Sequence, residues 1–485
     1  MLLLNLRATG GPLYRRVYHA LKTAIRAGRL GPAARLPSTR ALAQDLGVSR
    51  NTVMVAYEQL AAEGYVVSRH RSITSVAAAV PAAVLPAPAG PQAETRVRIS
   101  SYAQRLTTHP AMRPSVAAAG RAALRYDFRY GRPALDEFPR EIWRRLLARC
   151  AKRASRDAFG YASPAGYAPL RQALAEYLKR ARGVSCDADR IVIVNGSQQA
   201  FDLCARLLLD PGDCAVVEEP HYPGVTLTFE AVGARLIRVP VDKQGLDTAR
   251  LPTAGARVRL AYVTPCHQFP SGVIMPLERR LALLDWAART QAWVIEDDYV
   301  SEFRYEGSPL EALQSLDRGG RVIYVGTFSK TLFPALRLAY VVLPRALVPA
   351  FLNAKWISDR FSAMLAQQAL ADFITSGQFE RYLRRAGARN AKRRRALITA
   401  LQQHFGGRIE IAGENTGVHL LVWLNGVRMS GLDAIIARAA DAGVGLYSIG
   451  PYYARTPRRA GLLFGYASLT EAEIRAGIRR LAEVI

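Results

Sequence analysis

At 485 residues and a formal net charge of +27, the chain is too long for one ordinary core and basic enough to raise the expectation of a polyanionic partner. It offers no run of eighteen apolar residues, its start MLLLNLRATG has no basic region ahead of the apolar patch, and its five cysteines (Cys150, Cys186, Cys204, Cys214, Cys266) form no CxxC pair. A membrane span, a secretory leader, a metal site and a disulfide framework are therefore not expected; a cytoplasmic protein with reduced core thiols is.

Residues 12–76 read as a compact unit. Apolar positions recur at helical spacing in PLYRRVYHALKTAIRAG and again through STRALAQDLGVSRNTVMVAYEQLAAEG, and a strand-like YVVSRHRSITSV follows. In the second segment Ser38 and Ser49 stand at helix N-cap positions and Gly47 supplies the turn between them. Val53, Ala56, Tyr57 and Leu60 fall at i, i+3, i+4 and i+7, one buried stripe that leaves Arg50, Asn51 and Thr52 free on the first turn. A recognition helix presents that turn to base edges in the major groove, while Thr39 and Arg40 of the preceding helix lie over the phosphate backbone. Eleven Lys or Arg against three acids in residues 1–75 place a local positive excess on this unit.

Residues 77–120 open on AAAVPAAVLPAPAGPQAET, where repeated prolines break any helix, so the stretch reads as a semi-extended linker. Arginine-rich helices follow over 127–180. From about 185 to 345 short apolar runs (IVIV, CAVVEE, RLAYVT, AWVIED, RVIYVG, LAYVVL) alternate with helical segments or turns, the pattern of a mainly parallel sheet buried on both faces. Residues 346–485 mix amphipathic helices with alternating strands such as VHLLVWL and suit a smaller α+β lobe.

Four strand ends of the α/β portion carry chemistry. In IVIVNGSQQA a strand passes through Gly196 into a helix whose first amides, at Ser197 and Gln198, suit an anion. VVEEPHYPG places Tyr222 just past another strand, with a ring able to stack on a planar ligand. AWVIEDDY puts Asp297 and Tyr299 where a carboxylate can pair with a protonated ring nitrogen. GTFSKTLFPALRLAY runs from a strand into a loop with Lys330, an amine suited to condense with an aldehyde in a Schiff base, and a second strand is expected to begin at Arg337. Thr327, Ser329 and Arg337 offer donors to phosphate oxygens. Together these strand ends offer an amine for an aldehyde, donors for a phosphate and a carboxylate for a ring nitrogen.

Pro12 to Tyr65 resembles the GntR family of bacterial regulators, whose first domain carries the LPSxRxLAxxLxVSRxTVxxAY pattern found here. The resemblance implies a winged helix-turn-helix with Arg40, Ser49, Arg50, Asn51 and Thr52 at double-stranded operator DNA and Arg69 and Arg71 in the wing, although the wing reads HRSITSV where the family has GSGTFV. Residues 121–485 resemble fold-type I pyridoxal-phosphate enzymes in GYASPAGYAPLR, VNGSQQAFDLCARLLLDPGD, YVTPCHQFPSGV, IEDDYVSEFRY and GTFSKTLFPALRLAY. The whole chain is thus similar to the MocR group of regulators, an association that implies a homodimer in which Tyr161 reaches the partner's cofactor phosphate.

Two departures bear on activity. Where related aminotransferases carry NPTG this chain reads FPSG, with Phe269 in place of the Asn at the cofactor's phenolic oxygen; Gln268 or His267 is a substitute, and Tyr299 still reaches. Where they grip a substrate carboxylate with an Arg in RLGF, this chain reads GLLFGYASL with Leu463, and the missing bidentate anchor is worth about 1.5–3 kcal/mol. Arg455, Arg458 and Arg459 lie nearby in sequence. The expectation is a sensor descended from an enzyme, PdxR-like and responsive to pyridoxal phosphate itself; the alternatives are a GabR- or TauR-like amino-acid sensor and a working aminotransferase.

Overall fold

The computed structural model describes residues 6, 11–69, 73–78, 98–108, 124–154, 160–253, 257–307 and 310–485, which divide at Arg98/Ile99 into two compact units. The smaller unit comprises α1 (Leu13–Arg26), α2 (Thr39–Leu46), α3 (Arg50–Ala62) and the antiparallel hairpin β1 (Val66–Arg69) and β2 (Ile73–Val76). Val17, Leu21, Leu42, Val53, Ala56 and Leu60 close its core. Side chains cap both later helices: Ser38 Oγ accepts from Ala41 N at 3.2 Å and Ser49 Oγ from Thr52 N at 3.1 Å, while Gly47 ends α2 at φ 64°.

The larger unit begins with α4 (Ser101–Thr108), β3 (Tyr126–Asp127), α5 (Arg140–Arg153) and α6 (Ala168–Arg182). Helix α4 lies inside the stretch read as linker, which corrects that boundary. Prolines cease after Pro91 until Pro110, Ser100 caps the helix at Ala103 N, and Arg105 Nε donates to the Ala231 carbonyl at 2.8 Å. Next come β4 (Ile191–Val194), α7 (Ser197–Leu208), β5 (Cys214–Glu219), α8 (Pro223–Ala231), β6 (Arg235–Asp242), β7 (Gly245–Leu246) and β8 (Val258–Val263). Helix α9 (Leu277–Thr290), β9 (Trp293–Asp298), α10 (Leu313–Leu316), β10 (Val322–Thr327) and β11 (Ala339–Val342) complete the large sheet, whose order is β4-β11-β10-β9-β8-β5-β6-β7.

Strands β10, β9, β8, β5 and β6 are mutually parallel, and β11 runs antiparallel to both neighbours, so β4 points the same way as the parallel set. Every residue of β4, β10 and β11 is buried, as expected of strands covered on both faces. Strand β6, RLIRVPVD, was not among the apolar runs; it lies near the sheet edge and leaves most of its residues partly or fully exposed.

Helix α11 (Val348–Asp359), α12 (Met364–Thr375) and the 28-residue α13 (Gln378–Phe405) lead to the small lobe. There β12 (Ile409–Ala412), β13 (His419–Arg428), α14 (Leu432–Asp441), β14 (Val444–Gly445), β15 (Tyr447–Ser448), β16 (Arg459–Gly465) and α15 (Glu471–Ala482) build a four-stranded sheet in the order β12-β13-β16-β15. Strand β14 pairs with β3, which ties residues 126–127 into this lobe, far from it in sequence. Among the described residues no helix is long and apolar enough to cross a membrane.

Candidate functional site

On the smaller unit, the stripe Val53, Ala56, Tyr57 and Leu60 faces the core, and Tyr57 OH donates to the Pro37 carbonyl at 2.8 Å. That fixes the roll of α3 and leaves Arg50 and Asn51 exposed, with Thr52 half-buried beside its cap. Arg50 Nε lies 3.4 Å from Thr39 Oγ1, and Arg40 is exposed on α2, so the residues expected at base edges and at backbone share one surface. Arg69 closes β1; Arg71 lies outside the described residues.

On the larger unit the parallel strands deliver their carboxyl ends to one cavity of about 260 Å³. Lys330 stands in the loop between β10 and β11, largely buried, and its Nζ donates to the Gly131 carbonyl at 3.1 Å. Burial pulls its amine below the ordinary lysine value, and the Asp297 charge acts the other way. Asp297, near the end of β9, accepts from Tyr262 OH on Oδ2 at 2.6 Å, whereas its Oδ1 is buried with no partner. Burial pushes this carboxyl up to about 7, opposed by the Tyr262 hydrogen bond and by Lys330. Tyr299 OH is likewise buried without a partner.

At the other end of the cavity Gly196 caps α7 at φ 89°, and a Cβ on it would fall 2.5 Å from Arg337 Nη2. Arg337 Nη2 donates to the Asn195 carbonyl at 2.8 Å, which holds the guanidinium over the start of α7. Ser197, Gln198, Thr327, Ser329 and Arg337 therefore line the cavity beside the N-terminus of α7, a place that favours an anion. Arg337 does not begin a strand as expected: it adopts φ 51° after the turn Pro334–Leu336, and β11 starts at Ala339. That left-handed residue turns the chain before the strand begins.

Tyr222 lines the cavity and meets the Phe269 ring at 5.9 Å. Phe269 is the hub of an aromatic wall with Tyr130 (6.1 Å), Tyr299 (6.1 Å), His419 (5.8 Å) and Tyr452 (5.0 Å). Gln268 is a correction. Its Nε2 donates to the Pro220 carbonyl at 2.9 Å and to Glu218 at 3.2 Å, and its Oε1 accepts from Ser271. Its capacity is spent on the FPSG turn and on tying that turn to Glu218 and Pro220, so it does not line the cavity, nor does His267, whose Nδ1 is 2.5 Å from Thr416 Oγ1. Tyr161 is 86 % exposed and stands apart from the cavity of its own chain, beside Phe361 and Arg360.

Tyr130, Gly131, Tyr262, Val418 and His419 line the cavity without having been singled out. Tyr262 sits within an apolar strand and reads as core; the others come from the small lobe and the β3 loop, with no local motif. Leu463 is fully buried in β16, paired with Leu421 and Tyr447 and packed behind the aromatic wall.

These residues fit pyridoxal phosphate. Asp297 Oδ1 is a buried acceptor awaiting a donor such as a pyridinium N–H, Tyr299 OH a buried donor suited to a phenolic oxygen, and the N-terminus of α7 a phosphate seat. When bound, the group supplies an aldehyde for the Lys330 amine and an electron-withdrawing ring.

Residues 13–76 match the family of bacterial regulatory proteins, gntR family, and residues 131–481 match aminotransferase class I and II. The chain is 38 % identical to the probable rhizopine catabolism regulatory protein MocR of Rhizobium meliloti, across 97 % of this chain and 93 % of the relative. It is 34 % identical to the HTH-type transcriptional regulator TauR of Rhodobacter capsulatus (98 % and 97 % covered) and 28 % identical to the HTH-type pyridoxine biosynthesis transcriptional regulator PdxR of Corynebacterium glutamicum (96 % and 94 % covered). The crystal structure of a multiple substrate aminotransferase from Thermococcus profundus aligns with a TM-score of 0.72 at 28 % identity, covering 80 % of this chain and 97 % of that one.

Proposed function

The chain belongs to the MocR group of gntR-family transcription regulators, which join a DNA reader to a pyridoxal-phosphate-binding aminotransferase fold, and from that premise we propose that its effector is pyridoxal phosphate itself. The observation that carries the reading is the distribution of cations around the cavity. Lys330 and Arg337 are its only lining cations among the described residues; one faces the ring end and the other the phosphate end. The remaining wall, where an amino acid would lie, is Tyr130, Phe269, Val418 and His419, and burial holds the His419 imidazole down to about 4 and so uncharged at neutral pH. An α-carboxylate placed there loses its hydration and gains no guanidinium.

A GabR- or TauR-like reading needs Arg455, Arg458 or Arg459 at the ligand. Arg455 and Arg458 are exposed, and Arg459 is held by Glu410 and Asn425, both at 2.6 Å. None lines the cavity. The MocR and TauR relatives are more similar in sequence than the PdxR relative, so the effector assignment rests on the cavity and not on identity. In this reading the regulator is a cytoplasmic homodimer on operator DNA, Tyr161 serves the partner's site, and the controlled genes belong to vitamin B6 metabolism. Operator affinity shifts by the factor with which the cofactor discriminates between two arrangements of the protein.

The test measures binding to the DNA upstream of its own gene, with and without pyridoxal phosphate at stated salt, alongside the visible absorbance of the cofactor-loaded protein against a panel of amino acids. A cofactor-dependent change in affinity is expected, with no spectral response to any amino acid. A rapid spectral shift with one amino acid would overturn it.

A further inference from the structure

Most of the chain's positive excess lies outside the DNA reader, and two helices hold much of it. Helix α5 carries six Arg or Lys against Glu141 alone, and α13 carries eight against Glu380 alone. Between them, with α12 alongside, lies a cavity of about 750 Å³ lined by Arg145, Arg149, Arg381, Arg385 and Arg389. It is far larger than the cofactor cavity and shares no lining residue with it.

The local acids offset only part of this charge. Arg145 reaches Glu141 at 3.3 Å, Arg149 holds Asp372 at 2.7 Å, and Glu137 is shared between Arg389 and Arg393 at 3.6 and 3.7 Å. Arg381 donates only to the Ser376 carbonyl, and Arg385 has no partner among the described residues; both are exposed. Two lining residues also keep polar atoms buried without a partner, Gln378 Oε1 and Arg389 Nε, so the wall's hydrogen-bonding capacity is not exhausted by the protein. Guanidiniums gathered round one concavity repel one another unless an anion lies between them.

The floor is different in character. Its apolar lining is Ile142 and Pro139, both half-buried, backed by Leu146, Phe373 and Tyr382, which are 4 %, 1 % and 7 % exposed. A ligand matched to both is amphipathic, with a planar ring for the floor and several negative oxygens for the rim, and guanidinium forks favour phosphate. We propose that this cavity is a second ligand site, taking a nucleotide-sized phosphate ester with its phosphates on Arg381, Arg385 and Arg145 and its ring against Ile142 and Pro139. A duplex backbone matches the rim but leaves the apolar floor empty.

Calorimetric titration of the cofactor-loaded full chain with ATP, tripolyphosphate and adenosine, at fixed salt, tests the site. ATP is expected to bind saturably, tripolyphosphate at least tenfold more weakly, and adenosine undetectably. The double variant R381A/R385A, which alters exposed side chains, should weaken ATP binding at least tenfold and leave the thermal midpoint and the cofactor absorbance unchanged. No saturable ATP binding, ATP binding unaltered in the variant, or release of the cofactor by ATP would overturn the proposal. Equal binding of tripolyphosphate would overturn the ring contact, and a loss confined to operator DNA would overturn the small-ligand site in favour of a nucleic-acid contact.

Discussion

Arg337 rests against Gly196: the guanidinium occupies the space in which any side chain at residue 196 would begin, with a Cβ there only 2.5 Å from Nη2. A left-handed φ of 89° and a missing Cβ are thus both required to bring a cation and a helix N-terminus onto one phosphate. Gly196→Ala is expected to strain the backbone by about 1–3 kcal/mol and to displace the guanidinium. Its measurable consequence is a weaker affinity for pyridoxal phosphate, by tenfold or more in an absorbance titration. Cofactor retention equal to that of the unmodified chain would show that the N-terminus of α7 does not seat the phosphate.

Asp297 has a pH signature. Burial raises its carboxyl from the ordinary 3.8 to about 7, so between those values the folded chain keeps a proton that the unfolded chain has lost. The stabilisation from this group is complete below the lower value and is lost as pH rises through the upper one. Cofactor-free protein should therefore become less stable from pH 5 to 7.5, and Asp297→Asn should flatten that fall by about 1 kcal/mol or more in denaturant titrations. Part of the slope will persist, because burial also pushes Glu218 and Glu296 up to about 7. Identical slopes in both proteins would refute the assignment.

Leu463 offers a test of the missing clamp. Leu463→Arg places an unpaired cation behind the aromatic wall, at an expected cost of about 3–5 kcal/mol in stability. An α-amino acid should restore part of the thermal midpoint of the variant and leave the unmodified chain unmoved. Equal stabilisation of both by the same amino acid would mean that a carboxylate anchor already exists.

Arg50 tests the reader. Arg50→Ala should weaken operator binding by about 1–3 kcal/mol and relax discrimination at one base position, as measured by fluorescence anisotropy on operator variants. A uniform loss across all sequences, with a shallower salt dependence, would assign Arg50 to the phosphate backbone instead.

The reader was legible in detail because its determinants are local. Ser38, Gly47, Ser49 and the stripe from Val53 to Leu60 lie within one short segment, and caps and helical periodicity act over a few residues. The parallel strands were legible for a related reason: strands covered on both faces must be apolar throughout, and β6, near the edge and rich in arginine, escaped that signal. Helix α4 escaped because the prolines around it coloured the whole stretch.

For the cofactor cavity, sequence alone determined the groups that stand at strand ends: Gly196, Ser197, Tyr222, Asp297, Tyr299, Thr327, Ser329, Lys330 and Arg337. Tertiary structure decided everything that depends on where a side chain points or what a distant segment brings. It turned Gln268 toward Glu218 and the Pro220 carbonyl, brought Gly131 against the Lys330 amine, and set Tyr262 on Asp297 across the strand pair β8 and β9. The physical reason is that a strand end is fixed by a run of neighbours, whereas a buried polar atom is satisfied by whichever partner the fold delivers, here 35 to 199 residues away.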